Sequence, residues 1–274
     1  MLLGFLTSVS EFSVGVNSIL EETPEIYVGN LLGASILIFL AIIPLLALVG
    51  SRLKITPAFQ GFNLTAALVV VALPAFLIMD GKVDLADGFI AIFLFVFLTV
   101  VIQIKAGVLK RGRRFTQRVG VRTIRELLKC AFGVTLIFLA SRFVVNQTEY
   151  FARIFEISPF LISLFLVSVG TNIPEFSLIL RALFKKNSYI AFGGYIGSAS
   201  MNTFLFGVLT LMNGRPIILG NNYILSLFFI IVGLMLFYHF AKTRNSISRR
   251  EALALFLFYV FFFFAEILIK KNLS

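Results

Sequence analysis

Apolar residues along this chain come in long blocks, and charged residues are confined to the gaps between them. Nine blocks can be read, at 1–20, 26–50, 61–79, 86–106, 127–146, 157–181, 189–212, 222–241 and 252–269. Each is about 18–25 residues, enough for a helix to cross about 30 Å of hydrocarbon. The pattern predicts an all-α, polytopic membrane protein. The first block leads directly into the second, so it reads as a span and not as a cleavable leader.

Composition agrees. The chain is 59% hydrophobic with a mean hydropathy of +1.00, more apolar surface than a soluble domain uses. Its net charge of +11 is explained by loops that flank spans, so no nucleic-acid partner is implied. The expected partners are membrane lipid and inorganic cations, and no cofactor is expected. Cys130 is the single cysteine, which excludes an internal disulfide or a cysteine metal cluster. The single histidine, His239, lies in the apolar run FYHFAK and reads as interfacial or packed. With no zinc motif and no Ser/His pairing, an enzyme is the weakest reading.

The loops set an expected orientation. The segment from Lys105 to Lys129 carries Lys110, Arg111, Arg113, Arg114, Arg118, Arg122 and Arg125 and is placed in the cytoplasm. Alternation puts Arg52, Lys54, Arg181, Lys185, Lys186, Lys242, Arg244, Arg249 and Arg250 on the same side. Glu21, Glu22, Glu25, Asp80, Asp84 and Asp87 fall on the other. The N-terminus is then inside and the C-terminus outside, in a prokaryotic inner membrane. The basic segment reads as a topology-setting linker, with anionic-lipid binding as the alternative.

An offset of 164 residues superposes one half on the other. LTSVSEFSVGVNSIL (6–20) lies over GTNIPEFSLILRALF (170–184), and GNLLGAS (29–35) lies over GGYIGSA (193–199). The expected domains are a first repeat at 1–107, a linker at 108–126 and a second repeat at 127–274. Opposite loop charges make the repeat inverted: Glu21 and Glu22 follow Glu11 by ten residues, whereas Lys185 and Lys186 follow Glu175 by ten. Ten residues is about 15 Å of helix, half the hydrocarbon thickness. Glu11 and Glu175 are therefore expected near the midplane, where inverted-repeat transporters bind substrate. Span 127–146 has no counterpart ahead of the first repeat, so one further helix is expected upstream, making ten.

A charged side chain at that depth costs about 2.5–3.5 kcal/mol. Two carboxylates also repel unless a cation or proton intervenes. Ca²⁺ takes 6–8 oxygens, and the Glu pair supplies part of such a set. Pro174 should unwind its helix and release carbonyls near Gly170 and Thr171. Asn172, Ser198 and Asn202 offer oxygens in the second half; Thr7, Ser8 and Asn30 do so in the first. Gly29, Gly33, Gly193 and Gly197 are spaced for close helix packing, with Gly170 beside the site. Glu266, near the outer end of the last span, is expected to snorkel.

At these residues the chain resembles the sodium/calcium exchanger family of the cation/calcium exchanger superfamily. That family carries GTSxPE and, eighteen residues after the Glu, GNxxGSNxxN, once per inverted repeat. Here the second repeat reads GTNIPE then GGYIGSASMN, and the first reads LTSVSE then GNLLGASILI. The resemblance implies an antiporter in which Glu11 and Glu175 bind Ca²⁺ alternately with Na⁺. It also implies carbonyl ligands at Thr7 and Thr171, and side-chain ligands at Ser8, Ser198 and Asn202. Ser10 replaces the motif proline, which predicts a weaker helix break in the first half. Ala34 and Ile38 replace oxygen-bearing motif residues there, and Asn172 and Ala199 depart from the motif in the second half. These losses keep two alternatives open: a proton-coupled exchanger of the same fold, and a membrane scaffold that no longer transports.

Overall fold

The computed structural model describes residues 7–50, 52–56, 59–105, 121–177, 188–219 and 223–271. Helix α1 (Val9–Leu20) is followed by α2 (Glu25–Leu37), a π-turn at Ile38–Ile42 and α3 (Ile43–Val49). Helices α4 (Phe62–Leu77) and α5 (Leu85–Lys105) complete the first half. The second half has α6 (Val121–Phe155), α7 (Pro159–Ile162), a π-turn at Ser163–Val167, α8 (Ser168–Thr171), α9 (Ser188–Asn213), α10 (Tyr223–Arg244) and α11 (Arg249–Lys271). Among the described residues, eight stretches are long and apolar enough to cross a membrane, and they coincide with the predicted blocks from 26–50 onwards.

Burial sorts the spans into an inner and an outer set. The span Glu25–Val49 is 83% buried, whereas Leu85–Ile102 and Leu128–Phe155 are each 11% buried. Exposed Phe89, Phe93, Phe132 and Phe143 on the outer helices face lipid, where apolar surface costs nothing. Without a hydrophobic drive between helices, the inner set needs close packing. Gly29 and Gly33 provide it: a Cβ there would lie 2.1 Å from the Phe160 carbonyl oxygen and 1.9 Å from that of Leu164. Helix α2 therefore lies directly against the backbone of α7 and its π-turn. The second-half glycines differ. A Cβ at Gly170 would meet nothing within 4 Å, and at Gly193 only Phe59 at 3.7 Å, so neither is a close-packing position. Gly197 and Gly193 instead line a cavity of about 260 Å³ with Ser200 and Phe59.

Two small sheets cap opposite ends of α4. Strand β1 (Arg52–Lys54) pairs antiparallel with β4 (Ser246–Ser248), and β2 (Lys82–Val83) pairs antiparallel with β3 (Ile217–Ile218). The 164-residue offset exchanges the two sheets in register: Leu53↔Ile247 becomes Ile217↔Val83, and Lys54↔Ser246 becomes Ile218↔Lys82. The sheets thus follow a pseudo-two-fold relation between the halves. One end carries Lys54 and Arg249, the other Asp80 and Asp84.

Helix α6 has 35 residues and begins at Val121, inside the segment 108–126 expected as a linker; at about 1.5 Å per residue it exceeds the hydrocarbon thickness. Positions 106–120 of the basic segment, and Arg181, Lys185 and Lys186, lie outside the described residues. Glu266 does not snorkel: it is 2% exposed and accepts a 2.5 Å hydrogen bond from Ser226 Oγ on α10. That donor lets the carboxyl stay inside the bundle.

Gly33→Ala should lower the melting temperature of detergent-solubilised protein by several degrees, as expected for overpacking worth about 1–3 kcal/mol. Gly170→Ala, with open space around it, should melt close to wild type; equal losses in the two variants would contradict the packing asymmetry.

Candidate cation site

The site forms where two helices break. Asn172 leaves the helix with φ −87° and ψ 11°, between α8 and the turn of helix at 173–177. Ser8, which the offset places over Asn172, has φ −83° and ψ 9° at the start of α1. The first-half break is therefore as pronounced as the second, contrary to the weaker break predicted from the missing proline. Pro174 has no N–H, so the Gly170 carbonyl loses its helical donor. The first break forms with Ser10 at the matching position, whose Oγ lies 3.2 Å from the Thr7 carbonyl oxygen.

The breaks meet at the two carboxylates. Glu11 and Glu175 are both fully buried and close enough for their charges to oppose one another. Each has one oxygen held by a serine hydroxyl and one with no hydrogen-bond donor among the described residues. Ser10 Oγ donates to Glu11 Oε2 at 2.9 Å, and Ser198 Oγ on α9 donates to Glu175 Oε1 at 2.7 Å. Glu11 Oε1 and Glu175 Oε2 are left open.

Two asparagines repeat that arrangement. Asn172 Nδ2 donates to the Ser168 carbonyl at 2.7 Å, which leaves its Oδ1 open. Ser35 Oγ donates its one proton to the Leu31 carbonyl, so its 3.2 Å contact with Asn202 is a bond accepted from Nδ2, and Asn202 Oδ1 is open. Around Ser10 a further group of oxygens gathers. Its hydroxyl lies within 3.2 Å of the Thr7 carbonyl, Glu11 Oε2 and the Thr171 carbonyl, yet carries a single proton to share among them.

The threonines link the halves. Thr7 Oγ1 donates to Ser198 Oγ at 3.4 Å, and Thr171 Oγ1 to Asn30 Oδ1 at 3.1 Å. Asn30, expected as a cation ligand, has its oxygen 3.1 Å from Thr171 Oγ1, which also lies 3.3 Å from the Ser168 carbonyl, and its amide nitrogen has no partner among the described residues. Ser8 is buried at the first break. Ser10, Ser35 and Ser168 were missed by sequence reasoning. Ser10 was read only as a missing proline, and Ser35 stands beside Ala34 as Ser198 stands beside Ala199, a swap of order that a motif comparison scores as loss.

A cavity of about 530 Å³ between α1, α6 and the broken helix reaches Ser10 and Thr171; Ser141, Gln147 and Thr148 of α6 line its wall. Asn17 anchors that wall, donating to Ser141 Oγ at 2.7 Å and to the Phe138 carbonyl at 3.1 Å. Arg142 and Glu21 add an ion pair at 2.7 Å between α6 and the end of α1.

The family model for "Sodium/calcium exchanger protein" matches residues 1–104 and 127–268. The chain belongs to this family. The inner membrane protein YrbG of Escherichia coli (strain K12) is 28% identical over 207 residues, 72% of this chain and 62% of YrbG. The sodium/calcium exchanger MaX1 of Methanosarcina acetivorans is 30% identical over 144 residues, 50% of this chain and 39% of MaX1. The chain thus spans less than two thirds of either relative. In fold, it resembles the sodium-calcium exchanger NCX_Mj (TM-score 0.66, 21% identity, 95% of this chain and 83% of that one). It also resembles the H⁺/Ca²⁺ exchanger CAX (TM-score 0.62, 17% identity, 94% and 70%). The all-α, multi-pass membrane architecture expected from the hydropathy pattern is thereby shown.

Ser198→Ala should weaken cation binding to the purified protein about tenfold, since a bond to a charged group is worth about 1.5–3 kcal/mol and 1.4 kcal/mol is tenfold. Isothermal titration with Ca²⁺ is the measurement, and unchanged affinity would remove Ser198 from the site.

Proposed function

We propose that this chain is a secondary-active antiporter that exchanges Ca²⁺, or a related divalent cation, for Na⁺ through the site between Glu11 and Glu175. The observation that carries the proposal is the set of open, buried acceptors: Glu11 Oε1, Glu175 Oε2, Asn172 Oδ1 and Asn202 Oδ1, none with a hydrogen-bond donor among the described residues. Buried acceptors without donors are costly, and here they accompany two carboxylates that repel each other. A hard cation resolves both problems at once. Carboxylate, amide and carbonyl oxygens are the donor types that Ca²⁺ takes, and no sulfur or imidazole intrudes among the site residues named above.

The transported ion is held first by Glu11 and Glu175. The carbonyls of Thr7 and Thr171 lie beside Ser10 and complete the oxygen set from the two helix breaks. Ser198 and Ser10 fix the carboxylates, so a competing ion meets the same preset oxygens. Exchange follows from competition: Na⁺ and Ca²⁺ cannot occupy the same carboxylate oxygens together, and a conformational change that opens the site alternately to each side couples their fluxes. In the proposed orientation the basic end of the bundle, with Lys54 and Arg249, faces the cytoplasm.

A second reading, proton coupling, is favoured by one feature. Ala34 and Ile38 are apolar and buried in the first half, which removes oxygens from a flanking ion position. A proton on one carboxylate would replace a lost Na⁺ in the coupling scheme.

Vesicles reconstituted with the protein should accumulate ⁴⁵Ca²⁺ when an outward Na⁺ gradient is imposed, and Glu175→Gln and Glu11→Gln should each abolish it. Uptake driven by an outward H⁺ gradient alone would select the proton-coupled reading. Uptake that survives both substitutions would refute the site, and a protein that binds and moves no cation would point to a scaffold.

A further inference from the structure

We infer that Ser10 is the positioning residue for Glu11, and that Ser10 with Ala34 is a compensated exchange for Pro174 with Ser198. The inference rests on the cation site proposed above but concerns how its first half is built. The 164-residue offset pairs Ser10 with Pro174 and Ala34 with Ser198.

Two tasks have to be done in each half. The helix must break just ahead of the carboxylate, and one carboxylate oxygen must be held by a hydroxyl so that the other faces the ion. The second half divides the tasks. Pro174 breaks the helix by lacking an N–H, and Ser198, from a different helix, holds Glu175 Oε1 at 2.7 Å. In the first half the hydroxyl sits on the residue that stands where the second half has its proline. Ser10 Oγ lies 2.9 Å from Glu11 Oε2. The equality of the two breaks, φ −83° and ψ 9° against φ −87° and ψ 11°, shows that the first break forms without a proline. The open Oε1 of Glu11, matching the open Oε2 of Glu175, shows that Ser10 suffices for the second task.

With the hydroxyl on α1, a hydroxyl on α2 is redundant. Ala34 is fully buried and contributes no oxygen. Its loss of the motif serine is therefore no sign of a decayed site. The two departures from the family pattern, each damaging alone, are one change. There is a further consequence. Ser198 meets the first half at Thr7 Oγ1, 3.4 Å away, and Ser10 lies 3.0 Å from the Thr171 carbonyl of the second half. The posture of Glu11 is thus tied directly to the second helix break.

The test is a double-substitution cycle on the full chain in detergent, with Ca²⁺ affinity and melting temperature as separate readouts. S10A and S10P should each weaken Ca²⁺ binding about tenfold, the loss expected when a carboxylate forfeits its hydroxyl. S10P restores the helix break but not the hydroxyl; A34S in that background supplies the hydroxyl from α2. The S10P/A34S protein should recover Ca²⁺ affinity to within about threefold of wild type, and A34S should raise the melting temperature in the S10P background but not in wild type, since coupled sites are non-additive. An A34S effect that is the same in both backgrounds would overturn the compensation, and unchanged Ca²⁺ affinity in S10A would overturn the positioning role. If the wild type binds no cation, the antiport reading falls by itself, and the melting-temperature cycle still decides whether Ser10 and Ala34 are coupled. Should S10P fail to fold, S10A and S10A/A34S carry the same comparison.

Discussion

Two buried carboxylates, one from each half, impose the constraint on which the rest of this molecule depends. Lipid offers no counter-charge and little water, so Glu11 and Glu175 demand compensation from their surroundings. Protein hydroxyls meet half of the demand, one per carboxylate. The remaining oxygens stay open among the described residues, and it is these that the proposed cation would meet. A fully bonded pair would be a structural element with nothing left to offer.

The helix breaks serve the same end. An intact helix consumes its own carbonyls, so a site built on unbroken helices has only side chains to contribute. Turns at Ser8 and Asn172 place the Thr7 and Thr171 carbonyls beside Ser10 and the first carboxylate. The close approach of α2 at Gly29 and Gly33 sets it against Phe160 and Leu164, in the segment that leads into the second turn.

The pseudo-two-fold relation is not obeyed everywhere, and the exceptions are informative. Sheets and helix breaks follow it closely. The glycines do not: Gly29 and Gly33 are pressed against backbone, whereas Gly193 and Gly197 line a cavity. The buried Ser226–Glu266 pair has no polar counterpart, since the offset places Phe62 and Ile102 at those positions. Backbone architecture is shared between halves, while side-chain chemistry has been distributed differently in each.

Hydropathy alone located the spans, because a block of about 20 apolar residues has one stable form in lipid. The 164-residue repeat singled out Glu11 and Glu175, because a carboxylate inside such a block is costly enough to be conspicuous. What the linear pattern could not decide was which neutral oxygens are open and which are engaged. Asn30 and Asn202 look alike in sequence; in the fold, a threonine hydroxyl lies beside the oxygen of the first and a serine draws the nitrogen of the second. Nor could spacing reveal that Ser10 replaces both a proline and a serine, since its three oxygen neighbours come from two different halves. Glu266 was misread for the same reason: its partner Ser226 is 40 residues away. The cost of burying a charge is local and legible in the chain. The groups that offset it are brought together only by tertiary packing.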